Sequence, residues 1–311
     1  MSALICGSVA YDTIMVFHDQ FKNHILPEQV HILNVSFLVP DMRREFGGCA
    51  GNIAYSLGLL GGDGKPMATV GNDFGPYAEW MERRGIAMDH VRVMDGHYTA
   101  QAYITTDQDD NQITAFHPGA MNLSHENRIG DATGVSLGMV SPDGRRGMIE
   151  HAEQFAEAGV PFIFDPGQGM PLFDGENLHR FADLATWLAF NDYEAKLMQE
   201  RTGKTVEQLA REVEAVIVTR GGEGSSIYTA ERVYDIPAAP AARLIDPTGC
   251  GDAYRAGLLY GLQHGLDWEL TGRVAALMGA IKIEHAGTQN HVFTRDEFAG
   301  RFSETFGMSL E

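Results

Sequence analysis

Asp252 is the residue around which a reaction can be built. It lies in Asp246-Pro-Thr-Gly-Cys-Gly-Asp-Ala-Tyr-Arg-Ala-Gly257, a turn of small residues leading straight into a predicted helix that reaches about His264. Gly249 and Gly251 leave their backbone N–H groups uncovered and tolerate the angles of a tight nest. The first N–H groups of the helix lack intrahelical partners, and the helix dipole adds partial positive charge. An anion is attracted there. A carboxylate in the same turn repels a bound phosphate unless a phosphoryl group passes between the two. The pattern points to phosphoryl transfer, with Asp252 accepting the proton of a substrate hydroxyl. The amides of Gly249, Cys250 and Gly251 would hold the developing charge. An acidic residue that merely stabilises a helix start behind a glycine turn is the ordinary alternative, and this stretch alone leaves it open.

The other candidates stand where strands are predicted to end. Ala3–Cys6 is an apolar run closed by Gly7, with Asp12 beyond it; an ionised Asp only accepts hydrogen bonds, which suits a pair of sugar hydroxyls. Gly47 and Gly48 precede a second predicted helix carrying Asn52 in its first turn. From residue 135 the chain alternates strand and helix, the signature of a parallel sheet. Its strand ends carry Asp165-Pro-Gly-Gln-Gly169, Asn191-Asp-Tyr-Glu194 and Thr219-Arg-Gly-Gly-Glu-Gly224. Parallel strands end on one edge, so these turns converge. Asn191 and Glu194 share a helix face and could hold Mg²⁺ through water, unless they only form a capping box. Thr219, Gly221, Gly222 and Gly224 would wrap a nucleotide phosphate or ribose, unless they only turn a hairpin. His285-Ala-Gly-Thr-Gln-Asn290 could border a nucleotide base.

Residues 13–46 and 98–117 read as strands rather than helices, with Val30, Ile32, Leu33, Val35, Phe37 and Val39 as β-type positions. They form a predicted β-lid on a main α/β domain made of 1–12, 47–97 and 118–311. Phe17, Phe37, Tyr103 and Phe116 could face a flat ligand, a second subunit or one another.

Composition narrows the partners. The 311 residues carry 23 basic and 42 acidic side chains, a net charge of −19, which opposes nucleic acid and anionic membranes. No apolar run approaches the roughly 20 residues of a membrane span. Cys6, Cys49 and Cys250 have no metal-type spacing and read as reduced thiols of a cytoplasmic protein. Cys250 at a helix start is expected to have a lowered pKa if it is more than a small turn residue; the same dipole is expected to lower that of Asp252.

Gly47-Gly48-x-x-x-Asn52, Asn191-x-x-Glu194, Thr219-x-Gly221-x-x-Gly224 and Asp246-x-Thr-Gly-x-Gly-Asp252 occur in that order. The ordered set resembles the ribokinase-like family of carbohydrate and nucleoside kinases over essentially the whole chain. The resemblance implies a three-layer α/β sandwich with a mostly parallel sheet and a β-lid that often pairs subunits into homodimers. It implies Asp252 as catalytic base and Gly249, Cys250 and Gly251 as anion hole. ATP would lie along Asn191 and Thr219–Gly224, Mg²⁺ near Glu194, and a monovalent cation such as K⁺ near Asp246–Thr248. Asp12, Gly48 and Asn52 would hold ribose hydroxyls. Asp165-Pro-Gly-Gln168, Phe116-His-Pro-Gly119 and Arg43-Arg-Glu-Phe-Gly-Gly48 look closest to the adenosine-kinase type. That favours a nucleoside 5′-hydroxyl as acceptor, with Phe116 and Gln168 on the substrate side. A sugar or sugar-phosphate kinase, and a non-catalytic metabolite-binding relative, remain as alternatives. A Rossmann oxidoreductase and a P-loop ATPase are not supported: Gly7-Ser-Val-Ala-Tyr and Gly64-Lys65-Pro66 lack their motifs.

Overall fold

A computed structural model describes residues 1–25, 34–109 and 111–310. The chain opens with strands β1 (Ser2–Cys6), β2 (Ala10–Val16) and β3 (Asp41–Gly47), then helix α1 (Cys49–Leu59). Next come β4 (Asp63–Val70), α2 (Gly75–Arg83), β5 (His90–Val93), β6 (Ala100–Thr106) and β7 (Gln112–His117). The alternating part runs β8 (Val135–Val140), α3 (Arg145–Glu157), β9 (Phe162–Phe164), α4 (Gly175–Leu184), β10 (Trp187–Asn191) and α5 (Asp192–Thr202). It continues through α6 (Val206–Leu209), β11 (Ala215–Thr219), β12 (Ser225–Tyr228) and β13 (Val233–Ile236). Three helices close the chain: α7 (Cys250–His264), α8 (Trp268–Ile283) and α9 (Arg295–Phe306).

Nine strands form one sheet in the order β13-β12-β11-β10-β9-β8-β1-β4-β5. It is parallel from β11 to β5, while β12 and β13 pair antiparallel. Alternation along each strand feeds two cores. In β1, Ala3 and Ile5 pack with α1, α2, α7 and α8. Leu4 and Cys6 turn to the other face, against α3, α4, α5 and α6. With both faces covered, the central strands are near-continuous apolar runs. The result is the three-layer α/β sandwich with a mostly parallel sheet.

Four strands form a second sheet in the order β3-β2-β6-β7. Asp12 therefore sits inside β2, not beyond a strand end, because the chain resumes extended structure four residues after β1. Residues Val35, Phe37 and Val39 carry no regular structure. Phe37 instead packs with Phe17 and Phe21, at ring distances of 4.9 and 5.0 Å, so apolar side chains there serve a local cluster. Val30, Ile32 and Leu33 lie outside the described residues.

Candidate active site

Two helices point their N-termini at the edge where the parallel strands end, and their amides differ. At α1 the Cys49 N–H donates to Ser8 Oγ (3.1 Å) and the Ala50 N–H to the Ser8 carbonyl (2.9 Å). The preceding Gly48 has φ +85°, and a Cβ there would lie 2.6 Å from the Ala10 nitrogen. That crossing fixes β2 against α1. At α7, Gly249 caps the helix with φ +80°. The Cys250 N–H donates to the Pro247 carbonyl at 3.1 Å, so the turn itself uses the middle amide of the expected anion hole. The amides of Gly249, Gly251 and Asp252 find no backbone carbonyl among the described residues.

Asp252 stands beside these open amides. Asn52 Nδ2 donates to its carboxylate (Oδ2, 2.8 Å) across 200 residues of sequence. Gln289 Nε2 donates to Asn52 Oδ1 (3.0 Å) and to the Tyr77 hydroxyl (2.5 Å), which itself donates to the Gly47 carbonyl (2.9 Å). Trp80 Nε1 holds Gln289 Oε1 at 2.9 Å. Asn52 is thus oriented from behind by α2 and by the loop after α8. Burial is the largest influence on Asp252 and raises its pKa to about 6, against the Asn52 hydrogen bond, while the Asp165 charge pushes the same way as burial. The lowering expected from the helix dipole is outweighed by this desolvation. Cys250 is corrected in the same sense: burial pushes its thiol up to about 11, so it is no activated nucleophile.

Arg255, one turn into α7, makes a bidentate pair with Asp165 after β9: Nε–Oδ2 3.1 Å and a terminal guanidinium nitrogen to Oδ1 at 2.9 Å. The two side chains are 5% and 7% exposed. Nothing in the local pattern marks Arg255, though its place in the Asp246–Gly257 motif was a signal. Gln289 lies in the His285–Asn290 loop expected to border a base, whereas nothing in the local pattern marks Tyr77.

Asn191 ends β10 opposite Thr219 at the end of β11, so the register brings two predicted site residues together. Asn191 and Glu194 form a full capping box. The Asn191 N–H and Nδ2 donate to the two Glu194 oxygens, and the Glu194 N–H donates back to Asn191 Oδ1, all at 2.8 Å. Burial and then the Asp165 charge raise the Glu194 pKa, with Arg255 acting against them. Among the described residues no three acidic, His or Cys side chains cluster as a metal cage. The segment Gly221–Glu223 turns the β11–β12 hairpin, with Gly221 and Gly222 exposed and nothing within 4 Å of where a Cβ would stand. Gly224 is confined instead: a Cβ would meet the Ile236 carbonyl oxygen at 2.2 Å.

In the small sheet, Asp12 is directly opposite Glu45 and Ala102, and Ala102 is opposite Phe116. Directly paired residues share a face, so Phe116 and Asp12 lie on one face, two strands apart. Tyr103, one position away from Ala102, takes the other face. The aromatics expected to act together are therefore split three ways. Burial, then the Glu45 and Asp246 charges, raise the Asp12 pKa to about 6. Gln168 is exposed in the turn Gly167–Leu172 after β9 and meets none of the other candidates through a hydrogen bond. No helix among the described residues is long and apolar enough to cross a membrane.

Residues 8–295 match the model of the pfkB family carbohydrate kinases. The nucleoside kinase of Methanocaldococcus jannaschii is 30% identical over 273 residues, 87% of this chain and 90% of that protein. The solved nucleoside kinase of Burkholderia thailandensis in complex with inosine superposes with a TM-score of 0.91. It is 55% identical, with 99% of each chain covered. The same enzyme in complex with ADP-inosine gives a TM-score of 0.88 at 57% identity, covering 99% of this chain and 97% of that one. The chain belongs to the ribokinase-like pfkB family of carbohydrate and nucleoside kinases, and is a phosphotransferase acting on a hydroxyl group.

Proposed function

We propose that the chain transfers the γ-phosphoryl group of ATP to the 5′-hydroxyl of a nucleoside such as adenosine or inosine. The observation that carries the reading is the pairing of open α7 amides with a carboxylate that burial has made more basic. Asp252 accepts the hydroxyl proton, and a pKa of about 6 leaves it ionised at neutral pH yet basic enough to take a proton in the transition state. Asn52 aims that carboxylate. The Gly249 and Gly251 amides, preset by the turn, stabilise charge on the phosphoryl oxygens. Asn52 keeps a second Nδ2 hydrogen free for a ribose hydroxyl, and Asp12 accepts from the hydroxyl pair.

Glu194 with Asn191 would hold Mg²⁺ through water. Burial and the Asp165 charge raise the pKa of this carboxylate despite the opposing charge of Arg255, so a cation would favour its ionised form, and a hard oxygen donor suits this ion. When bound, Mg²⁺ neutralises phosphate charge. The Thr219–Gly224 hairpin is assigned to the ATP side.

The acceptor is read as uncharged because Arg44 belongs to the face away from Asp12, 4.4 Å above the Tyr11 ring, and Arg43 is paired with Glu45 at 3.4 Å. Phe116 is the stacking surface for the base, so Phe116→Ala is expected to raise nucleoside KM about tenfold with kcat little changed. An unchanged KM in initial-rate measurements would remove this residue from the site. The face opposite Asp12 exposes Met42, Tyr103 and Ile113, and a homodimer contact is assigned to it; a sedimentation mass of one chain at micromolar concentration rules this out.

The function is tested by ADP release from Mg-ATP with nucleosides, ribose, fructose and fructose phosphate as acceptors, with Asp252→Asn as control. Turnover on sugars alone overturns the nucleoside assignment. Nucleoside binding without turnover overturns the kinase mechanism.

A further inference from the structure

Lys282 is fully buried near the end of α8, and no step above uses it. Its Nζ donates to the backbone carbonyls of Asp246 (2.9 Å) and His285 (3.1 Å). These carbonyls belong to the two segments that frame the start of α7. One is the Asp246–Gly249 turn, which sets the open amides. The other is the loop that carries Thr288 against Gly249 and Gln289 against Asn52. The Asp246 carboxylate closes the same junction, accepting from the Thr248 N–H and the Gly287 N–H, each at 2.9 Å. Burial is the largest influence on the Lys282 amine and lowers its pKa, while the charges of Asp246 and Asp252 act against it and favour the protonated form.

A cation held by main-chain carbonyls rather than by a carboxylate partner is in the setting of a bound alkali ion, since carbonyl oxygens are what such ions take in place of water. The K⁺ ion that the resemblance suggests beside Asp246–Thr248 does not fit here, because the junction already contains a tethered cation that occupies the carbonyls. We propose that Lys282 is a positioning residue whose ammonium serves as the built-in monovalent cation of the phosphoryl-transfer site. It pins the anion-binding turn to the Gln289 loop and makes a free monovalent cation dispensable. The inference rests on the reading of Asp252 and the α7 amides as that site.

The test begins with the unmodified enzyme, assayed in K⁺, NH₄⁺, Na⁺ and choline chlorides at equal ionic strength. Equal kcat in all four is expected, and a requirement for K⁺ or NH₄⁺ overturns the proposal without any variant having to fold. Lys282→Met is expected to lose kcat about 100-fold, the cost of a misplaced reacting group, with nucleoside KM nearly unchanged. Lys282→Ala leaves a hole for a small cation, so NH₄⁺ or methylammonium is expected to restore part of kcat. A folded Lys282→Met enzyme with normal kcat, or a Lys282→Ala loss that no cation relieves, overturns it. Asp252→Asn run in parallel separates the two readings. If that variant stays active, the site assignment fails. If it is inactive while Lys282→Met is normal, only the role of Lys282 fails.

Discussion

Asp252→Asn is expected to lower kcat by about 1,000-fold or more, within the range that a positioned general base contributes. Nucleoside KM should move much less. The substitution is nearly isosteric, and its amide oxygen still accepts from Asn52 Nδ2, which is 2.8 Å from the native carboxylate. What is lost is the proton acceptor. In the unmodified enzyme kcat/KM should rise with pH through about 6 and level off above it, because the ionised form is the active one and the Asp252 pKa is raised to about 6. The sign for stability is opposite. A carboxyl whose folded pKa lies above its unfolded value binds more protons in the folded state over that interval. Folding stability therefore falls as pH rises from about 4 to 6. Asp252→Asn removes this penalty, and its Tm at neutral pH should be no lower than that of the unmodified enzyme. A variant that keeps more than a tenth of kcat, or a flat pH profile down to pH 5, would dismiss Asp252 as the base.

The scaffold was legible in the sequence to the extent that it is local. β10 and β11 are short apolar runs closed by polar turns, and periodicity plus turn chemistry suffices to place them. The Asp246–Gly257 turn is legible for the same reason, since nest and helix start are neighbours in the chain. The second glycine turn looked equivalent to it. Only the structure shows that Ser8, 41 residues before Cys49, satisfies the α1 amides and that α7 is the helix start whose amides stay open. The pKa values of Asp252 and Cys250 run opposite to what the helix dipole alone predicts, because a dipole can be inferred from spacing, whereas burial depends on what packs from elsewhere. The contacts of Arg255, Lys282 and Gln289 are hidden from the sequence for the same reason. Their partners are 90, 36 and 237 residues away, beyond any local pattern.

Arg255→Met is the substitution expected to damage the fold most, and it should also move the chemistry. Removing the guanidinium strands Asp165 as a buried charge without its bidentate partner, a change that costs about 3–5 kcal/mol. For a chain of this size that corresponds to a fall in Tm of roughly 10 °C. The pair itself need not be stabilising, because desolvating both ions opposes their attraction. The double substitution Asp165→Leu with Arg255→Met should therefore recover most of the lost Tm, and a double variant as unstable as the single one would show that the cost lies in packing. The charge of Arg255 also lowers the pKa of Asp252, while that of Asp165 raises it. Arg255→Met leaves only the raising influence, so the acid limb of kcat/KM should shift to higher pH in whatever fraction remains folded. Asp165→Asn leaves only the lowering influence and should shift that limb to lower pH. Opposite movements from two partners of one ion pair cannot come from loss of stability alone, which would depress both profiles without displacing them. Limbs that stay in place in both variants would mean that the pair only braces α7 against β9, and that the basicity of Asp252 is set by burial and Asn52.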